Sequence, residues 1–194
     1  MLTVFVTGLI GSGKSAVCAL LSAQGVPVYD CDARMKSLYD RRPELVAGLE
    51  KSLGVPLRLD SGRLDRSALA ARIFSAEKDR LQVESLVYPA LLQDFKRWRA
   101  RQKGAPFVVM ESAVLLSKPL FDGLASAVIL VTAPQALRLQ RVQERDGIPA
   151  SAVRSRMAAQ PDIPASAATV IIENDGSPEK LEQAVNSIIK TIQI

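Results

Sequence analysis

Thr7-Gly8-Leu9-Ile10-Gly11-Ser12-Gly13-Lys14-Ser15 is the stretch from which the rest of the chain can be read. Residues 8–15 satisfy the spacing G-x-x-x-x-G-K-[ST] in full. Before them, the apolar run Leu2-Thr3-Val4-Phe5-Val6 predicts a buried strand. After them, Val17, Leu20 and Leu21 recur at helical spacing until Gly25 stops the pattern. Each residue type answers a physical demand. Glycines let the backbone turn tightly, so that successive N–H groups point at phosphate oxygens. The helix that follows adds the positive end of its dipole, and Lys14 brings a charge for the β- and γ-phosphates. The Ser15 hydroxyl is a hard oxygen ligand suited to Mg²⁺. The phosphate-binding set is then Gly8, Gly11, Ser12, Gly13, Lys14, Ser15 and Ala16, with ATP and Mg²⁺ as the expected cofactors.

Outward from this loop, short apolar runs alternate with helical periodicity, which predicts an α/β domain on a mainly parallel sheet. Strands are expected over 2–7, 26–30, 107–111, 127–132 and 169–173. Helices are expected over 14–24, 43–53, 66–74, 135–144, 150–160 and 178–192, with Asp65 as the N-cap of the third. Residues 75–102 read as mostly helix, broken or bent near Tyr88-Pro89, and 161–168 as a loop. The 194 residues contain no internal repeat and no long linker, so one domain is expected.

Composition removes several chemistries. The chain has no histidine, which excludes Ser-His-Asp and Cys-His catalysis, histidine-ligated zinc and a histidine base. Cys18 and Cys31 lack metal or redox spacing and read as small buried residues with free thiols. No stretch approaches the roughly 20 apolar residues of a membrane span, and the N-terminus lacks the basic start of a signal peptide. A cytoplasmic protein without membrane or nucleic-acid partners is the expectation. The net charge of +5 points to anionic partners without saying which. Its densest run, Lys96, Arg97, Arg99, Arg101 and Lys103 around Trp98, has two readings, a solvated helix face and a binding patch. There is no guanine-reading N-K-x-D segment, and the length leaves little room for helicase or motor modules. A small-molecule kinase fits best.

Asp30 and Asp32 follow the second expected strand. A carboxylate there can accept the proton of an attacking hydroxyl or help hold Mg²⁺ through water, and Asp32 is the preferred base. The alternative is a turn or a helix cap, with Asp32 as N-cap before Ala33-Arg34-Met35. Arg138, Arg141 and Arg145 fall on roughly one helix face, with Arg154 and Arg156 in the next segment. Arginines on a mobile segment can close over ATP and neutralise the transferring phosphoryl group. Arg138 and Arg154 read instead as part of an exposed basic face; Arg141 and Arg145 remain open between the two roles.

In order along nearly the whole chain, these features resemble the dephospho-CoA kinase family, a nucleoside monophosphate kinase-like group. The resemblance rests on residues 7–15, Val28-Tyr29-Asp30-Cys31-Asp32 in the place of D-A-D, and Leu69, Arg72, Ile73 and Phe74. It continues through Leu86-Val87-Tyr88-Pro89, Glu111-Ser112-Ala113-Val114-Leu115-Leu116, residues 141–146, Arg156-Met157-Ala158-Ala159-Gln160 and Ile172-Glu173-Asn174-Asp175-Gly176-Ser177. Leu9, Tyr88 and Ser117 depart from the usual glycine, histidine and acid. The resemblance implies a five-stranded parallel core (about 1–32, 104–140 and 168–194), a helical acceptor-binding region (about 33–103) and a lid (about 141–167). It implies ATP-dependent phosphorylation of the 3′-hydroxyl of dephospho-CoA, the last step of coenzyme A synthesis. Asp32 then polarises the hydroxyl, while Lys14 and Arg141 stabilise the phosphoryl group. Asp30, Asp32, Tyr88 and Leu115 face the acceptor, and the backbone around Asn174 and Gly176 lies near adenine.

Overall fold

The structure, a computed structural model, describes residues 1–192. The chain divides into two compact units, Met1–Asp30 with Gln102 onward, and Cys31–Arg101.

The first unit is an α/β sandwich. Strands β1 (Leu2–Thr7), β2 (Val28–Asp30), β3 (Phe107–Glu111), β4 (Ala127–Thr132) and β5 (Val170–Glu173) form one sheet in the order β2-β3-β1-β4-β5. Every pairing is parallel. The expected five-stranded parallel core is therefore present. Strands covered on both faces need continuous apolar runs, and the consecutive residues Val4-Phe5-Val6 and Phe107-Val108-Val109-Met110 are essentially inaccessible to water. Helix α1 (Lys14–Ala23) and helix α8 (Pro178–Ile192) pack together and share a core with the sheet through Val17, Leu21, Leu181 and Val185. Each such side chain contributes about 1.5–3 kcal/mol of burial. Helices α6 (Gln135–Asp146) and α7 (Ala150–Ala158) follow β4 and contact each other. Between α7 and β5 a short 3-10 turn, Ala165–Ala167, sits inside the expected loop.

Strand β2 is two residues shorter than expected. Pro27 has no N–H to add to a ladder, although its carbonyl still accepts from Val109 N at 2.9 Å. Strand β1 lies between β3 and β4, so the chain leaves β1 first toward one edge of the sheet and later toward the other. The loop after β1 thus opens at the topological switch point, where parallel sheets bind ligands.

The second unit is helical: α2 (Cys31–Arg41), α3 (Pro43–Leu53), α4 (Arg66–Ser75) and α5 (Glu77–Arg99). Its core joins Val46, Leu49 and Leu53 to Leu57, Leu64, Leu69, Val83 and Val87. Helix α2 starts at Cys31, directly from the end of β2, so Asp32 lies in the first turn and is not the N-cap. Asp65 caps α4 as expected, accepting from Ser67 N and Ala68 N at 3.0 Å each. Helix α5 runs unbroken through Pro89 for 23 residues, which corrects the expected break. Pro89 and Ser85 are both exposed, so the backbone bond lost to proline is on the solvent side, where water can satisfy the free carbonyl. Replacing the cap, Asp65→Ala, is expected to cost about 1 kcal/mol and to lower the thermal midpoint by about 2–4 °C. An unchanged midpoint in thermal denaturation would remove the cap from the stability of α4.

Candidate functional site

The backbone turns immediately after Thr7. Gly13 is the N-cap residue of α1 at φ 96°, in the left-handed region that favours glycine, and no side chain caps the helix. The first N–H groups of α1 are thereby left to face an anion. The Lys14 ammonium donates to the Gly8 carbonyl at 2.9 Å, folding its charge back over the loop. Ser12 Oγ is buried and makes no hydrogen bond among the described residues.

Four side chains or backbone segments from elsewhere hold the loop in this form. Asn174, just past β5 and buried, donates through Nδ2 to the Ser12 carbonyl at 2.9 Å. Arg141 on α6 donates to Asn174 Oδ1 at 3.4 Å and to the Gly11 carbonyl at 3.5 Å. Gln160 Oε1, beyond α7, accepts from Ile10 N at 2.7 Å. Gly11 lies against the Arg138 backbone so closely that a Cβ would stand 2.5 Å from the Arg138 carbonyl oxygen. A Cβ on Gly13 would collide with the Asn174 amide.

Several of these contacts go beyond the sequence reading. Arg138 is half-buried, its charged form disfavoured by burial, and it lines a cavity of about 160 Å³ with Leu9, Ser12, Thr132, Asp162 and Ile163. This corrects its assignment to an exposed basic face. Arg154 is exposed, as expected. Arg145 and Arg156 both engage Asp146, at 2.7 and 2.9 Å, on the exposed side of α6 and α7. Arg141 therefore reaches the loop, and Arg145 is occupied by its own neighbour. Gln160 carried no role in the sequence reading, because a glutamine at a helix end has no periodic signal.

Glu111 is a further omission. It ends β3 in register with Asp30 of β2 and Val6 of β1. Its signal was the acid that closes the buried run Phe107-Val108-Val109-Met110. Glu111, Asp30 and Lys14 all act electrostatically on Cys18, one turn along α1 from the lysine. Burial first, and then the two carboxylates, push the Cys18 thiol up to about 12, against a smaller opposing effect of Lys14. Both cysteines are buried and free. Ser15, exposed in the first turn of α1, together with the carboxylates of Asp30 and Glu111, supplies hard oxygen donors. Such a set fits Mg²⁺ shared with substrate phosphates better than a closed protein cage. Among the described residues no group of three or more His, Cys, Asp or Glu can hold a metal by itself.

The remaining expected site residues are spread between the units. Asp32 and Tyr88 belong to the helical unit, where Asp32 is exposed and Tyr88 is half-buried. The Tyr88 hydroxyl is held protonated well above its ordinary range by burial, then by Glu84, Asp32, Cys31 and Tyr39. Asp32 and Tyr88 therefore share one electrostatic neighbourhood. Leu115, in the 3-10 turn Leu115–Ser117, is 2% exposed, so its side chain packs inside. Gly176 follows Asp175, which is bonded to Lys180 at 2.9 Å.

A parallel sheet of this order, with a glycine-rich loop, a lysine and a helix N-terminus at its switch point, defines a P-loop phosphotransferase. Residues 2–180 match the dephospho-CoA kinase family. A dephospho-CoA kinase of Porphyromonas gingivalis is 40% identical over 160 residues, covering 82% of this chain and 78% of the relative. One from Shouchella clausii is 34% identical over 190 residues, covering 95% and 96%. The crystal structure of TT1252 from Thermus thermophilus superposes with a TM-score of 0.83 at 34% identity, covering 98% of this chain and 97% of that one. The chain belongs to the dephospho-CoA kinase family, whose reaction, ATP-dependent phosphorylation of dephospho-CoA, completes coenzyme A biosynthesis. No helix among the described residues is long and apolar enough to cross a membrane.

Two outcomes test this geometry. Gly13→Ala places a methyl group on Asn174 at a positive φ and is expected to weaken ATP binding by about a hundredfold or more, a loss of about 3 kcal/mol. Retained affinity in calorimetry would show that the loop can yield. Burial of the Cys18 thiol favours the fold fully below pH 9, its ordinary value, and that contribution fades as pH climbs toward 12. At pH 8 its thiolate is about a thousandfold rarer than in the unfolded chain. Peptide mapping after alkylation should therefore find Cys18 unmodified in native protein and labelled after unfolding; equal labelling contradicts the burial.

Proposed function

We propose that the chain transfers the phosphoryl group with Asp32 as base and with Lys14 and Arg141 as the stabilising cations. The observation that carries this reading is the Arg141–Asn174–Ser12 chain of hydrogen bonds, which ties the lid-side arginine to the phosphate loop itself. The loop N–H groups of residues 8–16 and Lys14 bind the ATP phosphates. Mg²⁺, when bound at Ser15, neutralises charge on the β- and γ-phosphates. The helical unit carries the acceptor, with Tyr88, Asp32 and the adjoining Asp30 orienting the ribose. Asp32 takes the proton of the 3′-hydroxyl as its oxygen forms the bond to the γ-phosphorus. The bond from that phosphorus to the β,γ-bridging oxygen breaks, and ADP keeps the electron pair. Arg141 lies beside the loop where charge builds in transfer, and the segment from α6 through α7 acts as the lid. The backbone near Asn174 and Gly176 adjoins adenine. Two buried free thiols and a requirement for ATP fit an enzyme of the cytoplasm.

Removal of the base separates binding from chemistry. Asp32→Asn is expected to leave the Kd for ATP within about twofold and to lower kcat by about 10²–10⁴. Coupled ADP release with dephospho-CoA measures it, with AMP, shikimate and nucleosides as comparison acceptors. Near-normal turnover by the variant would eliminate Asp32 as the base.

A further inference from the structure

The basic run near the end of α5 is not simply a solvated face. Arg97 and Trp98 on α5, Arg101 two residues beyond its end, and Arg34 and Arg41 on α2 line a cavity of about 260 Å³, with Asp94 also in its wall. Arg42, also in its wall, donates to Gln93 Oε1 at 3.3 Å. The Arg34 guanidinium carbon stands 5.9 Å from the Trp98 ring centroid, and Phe95 stacks against the same ring at 6.0 Å in a tilted arrangement. Asp94 lies 3.8 Å from Arg41, with only 17% of its side chain exposed. One carboxylate therefore faces five guanidinium groups across a small concavity.

Like charges gathered in this way repel, and the single carboxylate in the wall, Asp94, offsets only part of that charge. The dipole of α5 accounts for cations in its own last turn, Lys96, Arg97 and Arg99. Arg41 is likewise in the last turn of α2, but neither dipole accounts for Arg34, in the first turn of α2, which meets the others at the same cavity. Arginine forks are also the groups best suited to bind phosphate oxygens in pairs.

We infer that this cavity is a second anion site, one that takes a small ligand bearing a pyrophosphate or two neighbouring phosphoryl groups. Helical spacing separates it from the acceptor-side carboxylate. Residues 34, 38 and 41 fall along one flank of α2, whereas Asp32 is two positions, about 200°, from Arg34. Asp32 acts on Tyr88 and is on the same flank as Tyr39. The cavity and Asp32 therefore lie on opposite flanks of one helix. The small volume, about 260 Å³, favours a compact ligand over the extended strand that a nucleic-acid groove tracks.

Trp98 is the single tryptophan of the chain, so its fluorescence reports this cavity without a label. Titration of the full-length protein with inorganic pyrophosphate is expected to give a saturable change in Trp98 emission. Arg97→Gln and Arg101→Gln should each weaken that change about tenfold or more, the equivalent of one charged hydrogen bond. Circular dichroism of each variant checks that α5 is intact. Lys14→Ala, which disables the phosphate loop, should leave the titration unaltered. A signal abolished by Lys14→Ala, or indifferent to both arginine changes, overturns the site. Tighter binding of a single-stranded oligonucleotide, increasing with its length, also overturns it in favour of a nucleic-acid surface. Pyrophosphate competing with dephospho-CoA through Arg97 and Arg101 overturns its separation from the acceptor site.

Discussion

A loop that turns its N–H groups toward an anion cannot bond them to itself, and this constraint governs the first unit. Gly11 and Gly13 give the loop its path, but a path made of glycines is also the most costly to order. Its shape has to be imposed by neighbours. Here the neighbours come from later elements: Asn174 after β5, Arg141 and the Arg138 backbone within α6, and Gln160 after α7. They are more than 120 residues away in sequence, so the phosphate site exists only when the sheet has assembled in its order. The parallel register delivers them, because the C-terminal ends of adjacent strands meet at one edge.

The same edge gathers opposite charges. Asp30 and Glu111 end neighbouring strands, and Lys14 opens α1 above the sheet. All three act on the Cys18 thiol, the two acids raising its pKa and the lysine opposing them. The two acids repel a triphosphate, and the lysine and the helix dipole oppose that repulsion. Carboxylates positioned in this way disfavour phosphate without a metal and favour it with one. On the proposed role of Mg²⁺, such an arrangement makes nucleotide and metal binding mutually dependent.

Elements with strong local signals were legible in the sequence. Residues 2–7, 107–111 and 127–132 are apolar runs bounded by polar or turn residues, and they form strands over those bounds. The loop at 8–15 and the Asp65 cap depend on short spacings, so they too could be read directly. Contacts at long range could not. Arg138 looked like part of an exposed stripe because helical spacing shows which residues share a face, not what covers that face. Gln160 and the Asn174 side chain work through single hydrogen bonds with no period to reveal them. Leu115 sat in a segment with a family likeness, yet the fold turns its side chain inward. At Pro89 local propensity was overruled, because the lost bond falls where water replaces it.

The D-x-D pair shows how two residues with one sequence signature come to differ physically. Asp30 ends an extended strand and belongs to the sheet unit, while Asp32 lies in the first turn of a helix and belongs to the other. Asp30 is fixed in register against Glu111 and shares its field with Lys14 and Cys18. Asp32 shares its field with Tyr88 on α5. On the proposed assignment, the donor-side and acceptor-side carboxylates are separated by a single residue, Cys31, whose side chain is buried. That burial anchors the helix start, and the packing of α2 on α5 orients Asp32 within the helical unit. An anion held between α2 and α5 on the opposite flank would then act on the same packing.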